Sequence, residues 1–188
     1  PSRQVAGDTY DVLVIDGRLV ATVTDVSGKG VGAGMIASGI HASVRLLSET
    51  ETTLDSLALR INSYLVGATE DNRFATFAMV LLAADGTLRA VNAGHCPVLI
   101  RRRDGRIEQI HSTGLPLGIM ESARYSESVS RLDPGDLLLI YTDGLTEAEN
   151  PADEEFGVDR VEQAVARLDG PSAESACHDL LRAVDDFA

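Results

Sequence analysis

The chain has 188 residues, a formal net charge of −13 at pH 7 and 44% hydrophobic residues, which predicts one domain with a sizeable core. The negative charge argues against nucleic acid as a partner, because phosphate backbones attract basic surfaces. No run reaches the roughly 18 apolar residues of a membrane span and no signal peptide opens the chain, so we expect a soluble, cytoplasmic protein.

The first predicted element is a β-hairpin. Two alternating apolar segments, Tyr10–Ile15 and Arg18–Thr24, flank the dipeptide Asp16-Gly17, a strong hairpin signal. With these two residues as the turn, Asp8 lies directly opposite Asp25. Facing carboxylates, with Cβ atoms about 4.5 to 5.5 Å apart, repel each other unless a cation lies between them. We therefore predict a divalent ion at this end of the hairpin.

A pair of helices follows the hairpin. Apolar residues at helical spacing predict helices over Val31–Ser48 and Leu54–Val66, the second with Thr52 and Asp55 as a capping pair. The first helix is entered through a turn rich in glycine, which raises the alternative of a nucleotide-binding loop. Its spacing fits neither common nucleotide fingerprint: no Ser or Thr follows Lys29, as a P-loop requires, and Ala33 occupies the third glycine position of a GxGxxG that starts at Gly28. We interpret the glycines as letting the backbone approach a charged site closely.

The remaining elements are strands and then helices. Asp-Gly dipeptides and one Asp-Pro-Gly-Asp turn separate alternating segments, which predict strands at Ala75–Ala84, Thr87–Ala93, Val98–Arg103, Arg106–Ile110, Tyr125–Arg131 and Leu137–Thr142. Helices are predicted at Val158–Leu168 and Ala173–Val184. Repeated hairpins with helices in pairs predict an α+β fold, an antiparallel β-sandwich flanked by helix pairs in α-β-β-α layers.

Six segments distributed over the whole chain carry a family pattern. In order they are Gly7-Asp8-Thr9-Tyr10-Asp11, Asp25-Val26-Ser27-Gly28-Lys29-Gly30, Asn92-Ala93-Gly94-His95-Cys96-Pro97, Pro116-Leu117-Gly118, Tyr141-Thr142-Asp143-Gly144-Leu145-Thr146-Glu147 and Asp185-Asp186. Together they resemble the PPM-type (protein phosphatase 2C-like) serine phosphatases of the SpoIIE/RsbU group. The resemblance implies one phosphatase domain over residues 1–188, without the outermost N- and C-terminal strands of the family.

The same resemblance implies a site with two Mn²⁺ or Mg²⁺ ions. The family's metal ligands carry over to Asp8, Asp25, the carbonyl of Val26, Asp143 and Asp185. Such hard oxygen donors suit Mg²⁺ or Mn²⁺ better than zinc. Asp25 and Asp143 would be catalytic through a metal-activated water, with Asp25 bridging the two ions.

The implied reaction is hydrolysis of phosphoserine or phosphothreonine on a bacterial regulatory protein, an anti-sigma-factor antagonist of a partner-switching pathway. A sensor domain preceding the phosphatase in the full-length protein and a homodimer are further implied partners. We expect the sensor to act on the helices Val31–Ser48 and Leu54–Val66, because the first emerges directly from the Asp25 segment. The alternative is a non-catalytic regulatory or binding module that retains the phosphatase fold.

Three other residue types have less specific interpretations. His95 follows a predicted strand and is interpreted as structural, with a role as proton donor to the leaving group as the open alternative. Ser27 is interpreted as a turn residue and not a nucleophile, because it lacks a Gly-x-Ser-x-Gly elbow and an evident base. Cys96 and Cys177 have no partner spacing and are interpreted as small packed side chains.

Overall fold

The computed structural model describes residues 7–48, 53–68, 73–168 and 172–188. The strands are β1 Thr9–Ile15, β2 Arg18–Val26, β3 Ala75–Leu82, β4 Thr87–Ala93, β5 Val98–Arg101, β6 Ile107–Ile110, β7 Ser128–Arg131 and β8 Leu137–Leu139. The helices are α1 Val31–Leu47, α2 Leu54–Ala68, α3 Gly157–Arg167 and α4 Ala173–Asp185. A short 3₁₀ helix spans Asp143–Leu145.

The chain divides into two compact units. The first unit comprises Pro1–Pro97 with Ile110–Leu132, and the second comprises Val98–Gln109 with Asp133–Ala188. The first contains an antiparallel sheet in the order β1-β2-β3-β4-β7 together with α1 and α2. The second contains a sheet in the order β6-β5-β8 together with α3 and α4. No helix within the described residues combines the length and the apolar character needed to span a bilayer.

The core of the first unit lies between its helix pair and one face of its sheet. In α1 the buried residues recur every three or four positions, at Ala33, Ala37, Ile40 and Val44, which is the spacing of one helix face. In β2 and β3 every second residue joins the same core, because successive strand residues point to opposite faces of the sheet. Residues on the other face of β2, Asp25 among them, point away from this core.

The predicted hairpin and its register are confirmed. β1 pairs with β2 from Thr9 opposite Thr24 to Ile15 opposite Arg18, so the loop consists of two residues, Asp16 and Gly17. Both have positive φ, 51° and 74°, as a type I′ turn requires. This turn matches the twist of the flanking strands, which explains why Asp-Gly fixes the register so firmly.

Several predicted strand ends are wrong. β3 ends at Leu82 and β5 ends at Arg101, each two residues before the predicted ends at Ala84 and Arg103. The strand predicted from Tyr125 begins only at Ser128, because Tyr125 is buried and its hydroxyl donates to Asn62 Oδ1 at 3.1 Å. The strand predicted to reach Thr142 ends at Leu139. Its partner β5 begins directly after Pro97, which has no N–H with which to continue the ladder. The strand predicted from Arg106 begins one residue later, at Ile107.

The N-terminus of α2 is capped by a residue distant in sequence. The Glu127 carboxylate accepts a hydrogen bond from the Leu54 backbone N–H and forms a two-pronged ion pair with Arg89 at 2.6 Å. Of the predicted capping pair, Thr52 lies outside the described residues, and Asp55 Oδ1 accepts a hydrogen bond from the N–H of Ser56. A carboxylate at this position also suits the positive end of the helix dipole.

Strand β1 is tied to α1 by a charged cluster. The Asp11 carboxylate accepts hydrogen bonds from Arg45 Nε at 2.9 Å and Nη2 at 3.0 Å, and it lies 2.6 Å from His41 Nε2. The Arg45 hydrogen bond is the largest influence on Asp11 and lowers its pKa; partial burial opposes this, and the His41 hydrogen bond supports it. The charged form of Asp11 is therefore stabilised in the folded protein.

We predict that Asp11→Asn lowers the free energy of unfolding by about 1 to 2 kcal/mol at pH 7, because it removes a charge-assisted pair. Since folding lowers the pKa of Asp11 below its ordinary 3.8, the stabilisation is present above that value and is lost as the pH falls through the folded value. Denaturant unfolding at several pH values should show the gap to the wild type closing below pH 3.8. Asp16→Asn, at an exposed turn position, is the control; a pH-independent gap would contradict the prediction.

Candidate metal centre and active site

Asp25 and Val26 lie at the end of β2 and point in opposite directions. Val26 is buried in the core of the first unit, whereas Asp25 is half-buried on the other face of the sheet. Their neighbours on β3 are Thr76, opposite Asp25, and Ala75, opposite Val26. Because Asp25 is paired with Thr76, its backbone is held by the sheet rather than by a loop.

Gly7 and Asp8 approach this strand end from β1. Asp8 is exposed and directly precedes Thr9, whose partner Thr24 directly precedes Asp25. Continued by one residue, the hairpin register would set Asp8 opposite Asp25, the arrangement expected from the sequence. A Cβ atom added to Gly7 would lie 2.5 Å from the Val26 carbonyl oxygen. Only glycine leaves room for this carbonyl.

The turn after β2 is closed by Ser27. Its N–H donates to the Phe74 carbonyl at 2.9 Å, and its hydroxyl accepts a hydrogen bond from the Phe74 N–H at 3.0 Å. Gly28 and Gly30 then adopt φ values of 86° and 92°, which residues with side chains rarely adopt, and α1 begins at Val31. The hydroxyl of Ser27 is thus engaged in the turn, as a turn residue would be.

The other two predicted ligands belong to the second unit. Asp143 is exposed and begins the short 3₁₀ helix, where its carbonyl accepts a hydrogen bond from the Glu147 N–H at 2.8 Å. Asp185 is exposed and is the last residue of α4. Across the described residues, no three His, Cys, Asp or Glu side chains are arranged so that they could hold a metal ion. The full ligand set predicted from the sequence therefore stays a prediction.

The part of the set that lies in the first unit fits a hard divalent cation. It offers the Asp8 and Asp25 carboxylates and the Val26 carbonyl, all of them oxygen donors of the kind that Mg²⁺ and Mn²⁺ prefer. Gly7 lies so close to the Val26 carbonyl that a residue with a side chain could not take its place. The two carboxylates and the carbonyl together suit a cation that binds both kinds of oxygen donor.

The loop after β4 begins at an end of the sheet that also contains β2 and β3. The fully buried Asn92 accepts a hydrogen bond from the His95 N–H at 2.8 Å and donates one to the Cys96 carbonyl at 3.0 Å. Gly94 has a φ of 67°, and an added Cβ would lie 2.4 Å from Cγ of Pro116. The loop holds the His95 ring so that Nδ1 lies 2.7 Å from the hydroxyl of Thr76.

Thr76 was not identified from the sequence. It lies in a run of apolar residues, and its strand is separated from β2 by two helices, so no hairpin signal indicates that it faces Asp25. His95 was singled out, but its partner was not. The two cysteines are a half-buried Cys96 and an exposed Cys177, so the prediction that both are packed is wrong for Cys177.

Comparisons of sequence identify relatives. The family model described as stage II sporulation protein E (SpoIIE) matches residues 15–188. Protein IcfG of Synechocystis is 31% identical over 191 residues, which cover 86% of this chain and 30% of IcfG. Phosphoserine phosphatase RsbU of Bacillus subtilis is 26% identical over 149 residues, covering 78% of this chain and 44% of RsbU. The chain thus spans less than half the length of these relatives.

Comparisons of structure show the fold. The RsbU and RsbW domains of Rv1364c from Mycobacterium tuberculosis match with a TM-score of 0.81 at 25% identity, covering 96% of this chain and 52% of that one. The SiaA-PP2C domain of Pseudomonas aeruginosa matches with a TM-score of 0.84 at 17% identity, covering 97% and 74%. RsbX in complex with magnesium matches with a TM-score of 0.75 at 18% identity, covering 95% and 80%. The chain therefore has a mixed α+β fold of the PP2C-like phosphatases, as predicted.

We predict that Gly7→Ala destabilises the protein by about 1 to 3 kcal/mol, because the new methyl group must displace the Val26 carbonyl. Binding of Mn²⁺ should weaken in parallel. Gly67→Ala is a matched control, because Gly67 lies in α2 with nothing within 4 Å of an added Cβ. That variant should be neutral or slightly more stable, since alanine favours helices. Thermal unfolding and Mn²⁺ titration provide the measurements, and identical melting temperatures for both variants would refute the argument.

Proposed function

The chain belongs to the SpoIIE family, and from this we propose that it is a metal-dependent phosphatase that hydrolyses phosphoserine or phosphothreonine on a protein. The structural observation that supports the proposal most directly is the hairpin register, which, continued by one residue, would set Asp8 opposite Asp25. Two adjacent carboxylates and a backbone carbonyl confined by Gly7 match what a divalent cation needs. RsbU, a relative named as a phosphoserine phosphatase, supports the reaction type.

We assign the metal ligands to Asp8, Asp25, the Val26 carbonyl, Asp143 and Asp185. The bound ions, Mn²⁺ or Mg²⁺, would supply an activated water for in-line attack on phosphorus and offset charge on the phosphoryl oxygens. Asp25 would be the most firmly held of the four aspartates, because it is half-buried and lies within a strand, where it is paired with Thr76. Asp8 and Asp143 are exposed, so a metal ion can approach their carboxylates from solvent. Magnesium in the RsbX structure supports the choice of metal.

The substrate that we propose is a small bacterial regulatory protein, an anti-sigma-factor antagonist. The support comes from relatives, since RsbU and stage II sporulation protein E both match most of this chain. Rv1364c carries an RsbU domain together with an RsbW domain in one protein. The greater length of the relatives leaves room for the sensor domain that we propose for the full-length protein. A signal reaching α1 would act close to Asp25, because only residues 26–30 lie between Asp25 and the start of α1.

We predict that turnover of an aryl phosphate requires Mn²⁺ or Mg²⁺ and that Asp25→Asn or Asp143→Asn lowers it at least about 100-fold, since loss even of groups that merely orient ligands costs 10- to 100-fold. The fold should survive, and Asp25→Asn should raise the melting temperature of the metal-free protein by removing carboxylate repulsion. Asp16→Asn removes one negative charge from the same hairpin away from the site and should leave turnover unchanged.

The outcomes of this experiment are distinct. Full turnover by folded Asp25→Asn in metal-stripped buffer would disprove the metal mechanism. Absence of turnover in the wild type with Mn²⁺, on aryl phosphate and on phosphoprotein alike, would instead favour the non-catalytic module.

We predict a higher kcat/KM on an intact phosphoprotein of the anti-sigma-factor-antagonist class than on a short peptide with the same phosphoserine. A folded substrate can contact surface around the site in addition to the phosphate, and this added contact lowers the barrier only for the intact protein. Phosphate release measured for both substrates at matched concentrations provides the comparison. Equal values would contradict recognition of the folded partner.

A further inference from the structure

We propose that Thr76 and His95 are positioning residues that orient the Asp25 carboxylate for metal binding, through a chain of hydrogen bonds from His95 Nδ1 to Thr76 Oγ1 and from Thr76 Oγ1 to Asp25. The inference rests on the proposed function, since it gives Asp25 its role as a metal ligand. It goes further by assigning roles to two side chains that contact no substrate.

The first step is the position of Thr76. In the β2–β3 ladder it is the direct partner of Asp25. Cross-strand partners point to the same face of a sheet, with Cβ atoms about 4.5 to 5.5 Å apart. A threonine hydroxyl at that separation reaches a neighbouring carboxylate. Thr76 is also half-buried, like Asp25, so water competes only in part for this contact.

The second step is the rigidity of His95. The residue is 6% exposed, and its ring Nδ1 lies 2.7 Å from Thr76 Oγ1. Its backbone N–H is held by the side chain of the fully buried Asn92. The preceding Gly94 has positive φ and packs against Pro116, where no Cβ fits. The loop therefore fixes the ring from its backbone, and the ring in turn restricts rotation of the Thr76 side chain.

The third step concerns the direction of the hydrogen bonds. A hydroxyl has one proton, which Thr76 can donate either to His95 Nδ1 or to Asp25. An ionised carboxylate is the stronger acceptor, because charge-assisted hydrogen bonds are about twice as strong as neutral ones. The hydroxyl proton therefore goes to Asp25, and Nδ1 must carry a proton that it donates to Thr76. We therefore expect that His95 carries its proton on Nδ1, which can be measured.

The consequence is a fixed orientation for one carboxylate oxygen of Asp25, which leaves the other oriented toward a cation. Partners that orient metal ligands in this way typically change metal affinity 10- to 100-fold when removed. His95 is too deeply buried to donate a proton to a leaving group on a protein substrate. The structure thus favours the positioning role over the proton-donor alternative left open by the sequence.

The first test measures the Kd for Mn²⁺ by the electron paramagnetic resonance signal of the free ion, using the complete 188-residue chain. Thr76→Val removes the hydroxyl at constant shape and should raise the Kd about tenfold. Thr76→Ser keeps the hydroxyl and should restore most of the affinity. Thr22→Val is the matched control, since it removes a hydroxyl from a buried position on the opposite face of β2. Circular dichroism melts verify that each variant folds.

The second test measures the His95 tautomer by long-range ¹⁵N–¹H correlation, without metal. The His95 signal is assigned by its absence in His95→Asn, a variant whose amide can still donate to Thr76 and should retain more Mn²⁺ affinity than His95→Leu. We expect a protonated Nδ1. An unprotonated Nδ1, or an unchanged Kd in folded Thr76→Val while Asp25→Asn has lost binding, would overturn the inference and leave the proposed function standing. Undiminished Mn²⁺ binding by Asp25→Asn would instead overturn the proposed function.

Discussion

The two-residue turn at Asp16 and Gly17 constrains everything else in the candidate site. Both residues adopt positive φ, and the resulting type I′ geometry permits one register between β1 and β2. Because β2 is also held by its ladder with β3, a slip of one residue would flip β1, turning Leu13 and Ile15 away from the core and Asp8 away from the face of Asp25. Packing of Leu13 and Ile15 on the core opposes that slip, so core packing and site geometry are specified by the same alternation.

The arrangement has an energetic cost that the rest of the first unit offsets. Asp8 and Asp25 bring two negative charges together at one strand end, which is unfavourable without a cation. The edge strand β1, which directly follows Asp8, is held by the Asp11 ion pair with Arg45 and by its apolar residues that pack on the core. Functional sites with adjacent like charges lower the stability of a protein, so they persist where other interactions offset that loss.

Conservation of the fold at low sequence identity follows from the same alternation of buried residues and from turn geometry. The match to the Rv1364c domains has a TM-score of 0.81 at 25% identity. Burial periodicity and turn geometry can be satisfied by many apolar sequences, so most positions can change. Positions that cannot change are those where a backbone shape or close approach is required. Gly7 against the Val26 carbonyl and Gly94 against Pro116 are two such positions in this chain.

Two local features follow directly from the sequence: the hairpin with its register, and four helices to within two residues at each end. These depend on short-range periodicity and turn chemistry, which are written in consecutive residues. Contacts between distant segments become visible only in the folded protein. Glu127 caps α2, Tyr125 turns inward to Asn62, and Thr76 joins His95 to the strand of Asp25. Each depends on packing between elements far apart in the chain, for which no local pattern exists.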